Sequence, residues 1–169
     1  MKVVVVNGRG ASGKTTFETL VQKIAAAREL KVEILSTITY VKDIAKSIGW
    51  DGGKTPADRR FLSDLKDALT RWNDSPYQSC KSALELMGKN EADIVFVDCR
   101  EPEEIKRFVE DYDALTVLVQ RGEVVLYGNH ADDNVENYQY DVIIDNSRGL
   151  DELMQEATIF VETFVEDSN

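Results

Sequence analysis

Cysteine, histidine and proline are scarce in this 169-residue chain, which contains 2, 1 and 3 of them respectively. Cys80 and Cys99 are far apart and lack the close spacing of metal-binding cysteines, so we expect reduced thiols and neither a disulfide nor a zinc site. The one histidine, His130, lies in a polar segment, and no serine or cysteine occurs in a recognisable nucleophile setting. A hydrolase triad is therefore not expected.

Long apolar runs and an excess of positive charge are missing as well. No apolar segment approaches the length of about 18 residues that a membrane helix needs, and the opening segment, residues 1–6, is too short for a signal peptide. Lys and Arg total 20 against 31 Asp and Glu, which gives a net charge of -11 and would repel the backbone of polymeric nucleic acid. We therefore expect a cytoplasmic protein without membrane or polymeric nucleic-acid partners, for which single nucleotides are better candidate ligands.

Strand patterns and helix patterns alternate along the chain. Runs rich in Val, Ile and Leu predict five strands, at residues 2–7, 32–36, 93–98, 115–120 and 142–145. Apolar periodicity predicts helices between and after them, at residues 14–29, 40–48, 57–72, 77–88, 102–111 and 150–164. This alternation is typical of the α/β class, and we predict one domain over residues 1–169, a three-layer α/β/α sandwich with a five-stranded parallel sheet.

Two segments exceed what that architecture requires. Three of the predicted helices fall between the second and third strands, so residues 38–92 are predicted to form a helical insert. Residues 122–137 are polar and rich in glycine and asparagine, and we expect them to form a lid over the ligand. Trp50 and Trp72 could stack on a nucleobase, but large aromatic residues beside helices are more often packed in a core, which is the expectation here.

The most specific motif follows the first strand. It reads Gly8-Arg9-Gly10-Ala11-Ser12-Gly13-Lys14-Thr15, the Gly-x-x-x-x-Gly-Lys-Thr pattern of a phosphate-binding P-loop. Its glycines let backbone N–H groups surround phosphate oxygens, and the helix that follows directs the positive end of its dipole at them. Lys14 is expected to reach the β- and γ-phosphates of ATP, and the Thr15 hydroxyl to bind Mg²⁺. The predicted nucleotide contacts come from Gly8, Gly10, Ala11, Ser12, Gly13, Lys14, Thr15 and Thr16.

A second motif lies at the end of the third strand, where Asp98 is followed by Arg100. P-loop enzymes complete the metal shell with a carboxylate on the strand beside the loop, so Asp98 is predicted to bind Mg²⁺ together with Thr15. Arg100 is predicted to neutralise a phosphate. The acidic residues that follow fit a structural role equally well, because carboxylates stabilise the first turn of a helix.

Phosphoryl transfer depends mainly on charge stabilisation, so basic residues are expected near the phosphates of both the donor and the acceptor. We expect one of the neighbouring Arg59 and Arg60 to bind the acceptor phosphate, the alternative for each being a solvated helix face. The predicted catalytic residues are Lys14, Asp98, Arg100 and Arg121. The predicted acceptor-binding residues are Lys42, Arg59, Arg60, Arg71 and Arg100.

These segments together resemble the P-loop deoxynucleoside-monophosphate kinases of phage and bacterial type, a branch of the nucleoside-monophosphate kinase group. The resemblance extends from the P-loop to Val41-Lys42-Asp43, then to Arg59-Arg60-Phe61-Leu62 and to the Asp-x-Arg-x-x-x-Glu pattern of Asp98, Arg100 and Glu104. It ends with Asp141-Val142-Ile143-Ile144-Asp145-Asn146, which is similar to the family's closing Asp-x-x-Ile-x-Asn strand. The chain departs from the family pattern at Ser63, where glutamine is frequent, and at the insert Trp50-Asp51-Gly52-Gly53.

The resemblance implies an enzyme that transfers the γ-phosphoryl group of ATP to a (deoxy)nucleoside monophosphate. It implies that Lys14, Thr15, Asp98 and Arg121 serve ATP and Mg²⁺, and that Arg59, Arg100 and Lys42 face the acceptor, with residues 38–92 as the acceptor-binding insert. Two alternatives stay open at this point: a kinase for another small phosphorylated acceptor, such as dephospho-coenzyme A or phosphomevalonate, and an ATP-binding regulatory or assembly protein. The number of subunits is also open, with a homodimer among the arrangements considered.

Overall fold

Five parallel strands form the centre of the computed structural model, which describes residues 1–122, 135 and 138–164. In chain order they are β1 (Lys2–Asn7), β2 (Val32–Ser36), β3 (Ile94–Asp98), β4 (Leu115–Gln120) and β5 (Val142–Asp145). Their order across the sheet is β2-β3-β1-β4-β5, and every neighbouring pair is parallel. The predicted α/β class with a five-stranded parallel sheet is confirmed, and β1 lies in the middle of the sheet.

Six helices connect and cover these strands in the described part of the chain. They are α1 (Lys14–Ala26), α2 (Thr39–Ser47), α3 (Pro56–Asn73), α4 (Ser75–Lys89), α5 (Pro102–Tyr112) and α6 (Leu150–Phe164). The predicted helices agree with them except near their ends. Helix α1 stops three residues before the predicted residue 29, because Glu29 adopts a left-handed conformation (φ 61°) that turns the chain toward β2.

Two apolar layers hold helices on both faces of the sheet. On one face, α1 and α6 pack against the sheet through aromatic side chains, with Phe17, Phe96 and Phe160 in mutual ring contact. On the other face, α4 and α5 pack against the sheet through Tyr77 and Phe108, whose ring centroids are 4.8 Å apart. Because β1 and β3 are covered on both faces, residues 3–6 and 94–97 are continuous buried apolar runs and do not alternate between apolar and polar residues.

Helices α2 and α3 form a third, smaller cluster beside the sandwich, built on Val41, Ala45 and Leu62. Helix α4 belongs to the sandwich, so α2 and α3 are the part of residues 38–92 that the sheet does not require. Trp50 packs against this small cluster, as expected, and its Nε1 donates a hydrogen bond to Asp58 Oδ1 at 2.9 Å. The expectation of core packing is wrong for the other tryptophan, since Trp72 is 83% exposed near the end of α3.

Most of the predicted lid, residues 122–137, lies outside the described residues. None of the helices in the described ranges combines the length and apolarity that crossing a membrane would take.

A partly buried ion pair ties α3 to the sandwich. Lys66 Nζ on α3 lies 2.6 Å from Glu104 Oε2 at the start of α5, and 3.4 Å from the Thr37 hydroxyl beyond the end of β2. The two charged side chains are only 15% and 11% exposed. The Cys99 thiol donates to the same carboxylate oxygen at 3.1 Å. Glu104 also raises the pKa of Lys66, against the burial that would lower it, so the ammonium stays charged.

The Lys66–Glu104 pair is predicted to make a measurable contribution to stability. Lys66→Met leaves the Glu104 carboxylate buried without its cation, and we expect the free energy of unfolding to fall by about 3 kcal/mol. Urea unfolding followed by tryptophan fluorescence measures the change.

The matched control is Lys106→Met, which breaks a pair of the same 2.6 Å length between two exposed side chains, Lys106 and Glu103. We expect almost no loss there, because water screens exposed pairs. Combining Lys66→Met with Glu104→Leu should recover most of the loss, since no buried charge remains. Equal losses in the two single variants would show that burial of the Lys66–Glu104 pair has no special role.

Candidate active site

The sheet order brings the predicted site residues to one edge. In a parallel sheet the carboxyl ends of all strands lie on the same side, and ligands bind there. The P-loop follows β1 in the middle of the sheet. On one side of it, Asp98 ends β3 and Arg100 follows; on the other side, Arg121 follows β4. Arg100 and Arg121 therefore flank the P-loop on opposite sides.

The P-loop backbone adopts conformations that require glycine. Gly13 has φ 99° and immediately precedes α1, and Gly8 has φ 153°. A side chain on Gly8 would overlap the carbonyl oxygen of Val119 on β4, so the loop lies directly against the neighbouring strand. Helix α1 begins at Lys14 without a side-chain cap on its first N–H groups. The start of α1 thus has the form of other phosphate sites at helix N-termini, where backbone N–H groups point toward the anion.

Lys14 closes over this loop. Its Nζ donates a hydrogen bond to the Gly8 carbonyl at 2.6 Å, which places the ammonium at the mouth of the loop. The same cation acts on the buried carboxyl of Asp98, where it opposes a rise in the pKa. Thr15 and Thr16 are exposed on the first turn of α1, next to this opening. The predicted phosphate and metal ligands therefore converge at the start of α1.

Asn7 joins three segments of the chain around the P-loop, although nothing in the sequence distinguished it. Its side chain is fully buried; Oδ1 accepts a hydrogen bond from the Gly8 N–H at 2.7 Å. Its Nδ2 donates to the Arg100 carbonyl at 3.2 Å and to the Tyr140 hydroxyl at 2.7 Å. A single amide thus holds the P-loop, the segment after β3 and the segment before β5 in fixed relative positions.

Asp98 has the features of a metal ligand. Its Oδ1 is buried and has no hydrogen-bond partner among the described residues. Burial raises the pKa of this carboxyl, and three cations oppose the rise, in decreasing order Lys14, Arg100 and Lys42. A buried carboxylate oxygen that has no donor among the described residues, near the ammonium of Lys14, the residue before Thr15, fits the oxygen ligands that Mg²⁺ prefers. Asp98 and Thr15 are therefore the residues that could hold the cation.

A second buried carboxyl, Glu18, lies close to Asp98 and was missed by the sequence analysis. It is 1% exposed, and its Oε1 has no hydrogen-bond partner within the part of the chain that is described. Burial raises its pKa to about 8; the nearby Asp98 adds to the rise and Lys14 opposes it. The sequence did carry a signal, because Glu18 shares a helix face with the fully buried Val21 and Ala25.

The structure distinguishes between the arginines of α3. Arg59 lies on the helix face that carries Leu62 and Lys66, which packs toward the sandwich. Arg60 and Arg71 occupy the opposite, exposed face. All three side chains are exposed, and of the three only Arg59 shares the face of α3 that packs on the sandwich.

A cavity of about 470 Å³ opens on the other side of the P-loop, at the ends of β4 and β5. Six of its lining residues are polar or charged and come from the P-loop and the ends of β4 and β5; these are Arg9, Ser12, Gln120, Arg121, Asp145 and Ser147. Leu118 and Val119 provide an apolar wall. A site with an apolar wall and a few converging polar groups suits a small organic ligand whose phosphates extend into the P-loop.

Glu18 should make stability depend on pH. The folded chain keeps the proton on Glu18 up to about pH 8, whereas the unfolded chain loses it near the ordinary pKa of 4.5. The folded state therefore binds more protons in this range, and the Glu18 contribution lowers the free energy of unfolding as pH rises from about 4.5 to about 8. Glu18→Gln should be more stable than the wild type at pH 8 and should lose this decline.

The measurement is urea unfolding at several pH values in the presence of EDTA. Glu85→Gln, which changes an exposed carboxyl on α4, is the matched control and should retain the wild-type decline. If Glu18→Gln declined with pH as steeply as the wild type, Glu18 would not be the buried acid responsible.

Known proteins with the same fold are found among solved structures. No protein-family model matches the chain, and no curated protein matches it. Among solved structures, the protein APE1195 is 16% identical with a TM-score of 0.55, covering 98% of this chain and 97% of that chain. A candidate kinase from Chloroflexus aurantiacus is 12% identical with a TM-score of 0.54, covering 99% and 97%. The APS kinase CysC of Mycobacterium tuberculosis, in complex with AMPPNP and APS, superposes more loosely, with a TM-score of 0.47 at 16% identity over 96% and 98% of the two chains. The chain has the α/β fold that it shares with the first two of these structures.

Proposed function

We propose that the chain transfers the γ-phosphoryl group of ATP to the phosphate of a small molecule, a (deoxy)nucleoside monophosphate, and releases ADP and the diphosphate. An oxygen of the acceptor phosphate attacks the γ-phosphorus, and the bond from that phosphorus to the oxygen bridging it to the β-phosphate breaks. The acceptor oxygen is already anionic at neutral pH, so no general base is needed. The chain therefore has to position the donor and acceptor phosphates, neutralise their charge and hold the metal ion.

The main support for this proposal is that the P-loop separates two groups of residues along the carboxyl edge of the sheet. On the β4–β5 side lies the cavity that Arg121 lines, which we assign to the nucleoside part of ATP. On the β2–β3 side lie Arg100 and Lys42, both near enough to affect the pKa of Asp98. A protein that only binds ATP has no need for a second group of cations beyond the P-loop, whereas a kinase needs them for the acceptor phosphate.

Within this proposal each group has one role. Lys14 and the N–H groups at the start of α1 neutralise the β- and γ-phosphates. Thr15 and Asp98 would hold Mg²⁺, which would supply further positive charge to neutralise the phosphates. Arg100, Lys42 and Arg59 orient the acceptor phosphate, with α2 and α3 forming its binding wall. Because both phosphates are anionic, keeping these cations at fixed positions lowers the barrier to their approach.

The direct test is ADP release from Mg²⁺-ATP in the presence of a panel of ribo- and deoxynucleoside monophosphates, with dephospho-coenzyme A and phosphomevalonate included. We expect one or a few nucleotides to stimulate release strongly. Lys14→Met, checked for folding by circular dichroism, should lower kcat by roughly 100-fold or more, because it removes a charge that stabilises the transition state. ATP binding without stimulation by any acceptor would refute the kinase proposal and favour a nucleotide-dependent switch.

The two neighbouring arginines of α3 offer a matched pair of variants. Arg59→Ala should raise the KM for the acceptor about tenfold and leave the KM for ATP unchanged, because one charge-assisted contact to the acceptor phosphate is lost. Arg60→Ala removes the same charge from the exposed face and should change neither constant. Steady-state kinetics with the best acceptor of the panel measures both. If the two variants behave alike, the face of α3 does not decide which arginine binds.

A further inference from the structure

Asn146 contacts the P-loop from a distant part of the sequence. It follows β5 directly and is 9% exposed. Its backbone N–H donates to the Gln120 carbonyl at 2.8 Å, which continues the pairing of β5 with β4 beyond the last strand residue. Its side-chain Nδ2 donates to the Ser12 carbonyl at 2.9 Å, in a buried position. Asn146 is thus anchored in the sheet by its backbone and fastened to the P-loop by its side chain.

The hydrogen bond to Ser12 determines the orientation of one peptide group. All described peptide bonds are trans, and in a trans peptide the C=O and the following N–H point in opposite directions. When Asn146 holds the Ser12 carbonyl toward β5, the N–H of Gly13 therefore points away from β5. Gly13 is the last residue before α1, so this N–H is one of the donors at the helix start for which the helix itself offers no acceptor.

Without such a restraint this peptide group would turn easily. Gly13 has φ 99° and no side chain, and glycine populates positive and negative φ about equally. The amide of Asn146 also fills the space beside Gly13, since a Cβ on Gly13 would overlap Asn146 Nδ2. The same side chain therefore requires glycine at residue 13 and removes the freedom that glycine brings.

We propose that Asn146 is a positioning residue for the nucleotide phosphates: its amide holds the Ser12 carbonyl and thereby keeps the Gly13 N–H in the orientation that binds a phosphate oxygen. The inference rests on the proposed function, because it assumes that the P-loop binds the phosphates of ATP. Its physical basis is preorganisation, in which a donor that is already oriented costs no ordering free energy when the ligand binds. Asn146 itself does not touch the nucleotide in this account.

The test is isothermal titration calorimetry with Mg²⁺-ATP and with inorganic tripolyphosphate. Asn146→Ala removes the donor and should weaken binding of both ligands about tenfold. Asn146→Asp keeps the size of the side chain, but at pH 8 its carboxylate cannot donate and repels the Ser12 carbonyl, so a larger loss is expected. If the alanine variant does not fold, the isosteric aspartate variant still tests the inference. In the kinase assay the KM for the acceptor should stay at the wild-type value.

The matched control is Asp141→Asn. It is the reverse of the exchange in Asn146→Asp and lies just before β5. Asp141 Oδ2 accepts hydrogen bonds from the Thr116 N–H and hydroxyl at 2.8 and 2.7 Å, and neither of these contacts involves a P-loop residue. This variant should lose stability and keep wild-type affinity for both ligands. Wild-type affinity in Asn146→Ala and Asn146→Asp, together with lower melting temperatures, would overturn the inference and leave Asn146 a purely structural residue. Failure of the wild type to bind Mg²⁺-ATP would instead overturn the proposed function, and this inference with it.

Discussion

Parallel pairing around a central first strand is the constraint on which the candidate site depends. It brings the ends of strands that are far apart in sequence to one edge, with the P-loop in the middle. Asn7 then joins the ends of β1 and β3 to the segment before β5 with one side-chain amide, and Asn146 fixes the end of β5 to the loop. The geometry of the site therefore comes from the sheet and from two buried amides, rather than from the loop alone.

Charge is distributed unevenly in this acidic chain. The net charge is -11, yet Lys14, Lys42 and Arg100 are close enough to one carboxyl, Asp98, to oppose the rise in its pKa. Asp98 and Glu18 lie near Lys14, and each has one buried carboxyl oxygen with no hydrogen-bond partner among the described residues. Such an arrangement is costly in an empty site, because buried charges and unpaired polar atoms are unfavourable. A bound anion and a bound cation would satisfy both sets of groups at once, which is what a metal–nucleotide complex offers.

The sequence was sufficient to predict the strands and helices, but it did not predict the positions of several side chains. Apolar runs and the P-loop pattern depend on local chemistry, so the five strands and the placement of the loop were predictable. The choice between Arg59 and Arg60 depends on which face of α3 packs, and Trp72 was wrongly expected in a core because the tertiary partners of that face were unknown. The contact of Asn146 with Ser12 joins residues 134 positions apart, and no local pattern encodes it.

We propose that the P-loop separates a donor site at the carboxyl ends of β4 and β5 from an acceptor site at the carboxyl ends of β2 and β3. The most direct measurement is a crystal structure with Mg²⁺ and a bisubstrate ligand, in which adenosine is joined through five phosphates to the nucleoside that the assay selects. The account predicts adenosine in the cavity beside Arg121 and a phosphate chain that passes the P-loop to reach Arg100. A ligand whose second nucleoside lies away from Arg100 and α3, with no ordered contact on the β2–β3 side, would contradict it.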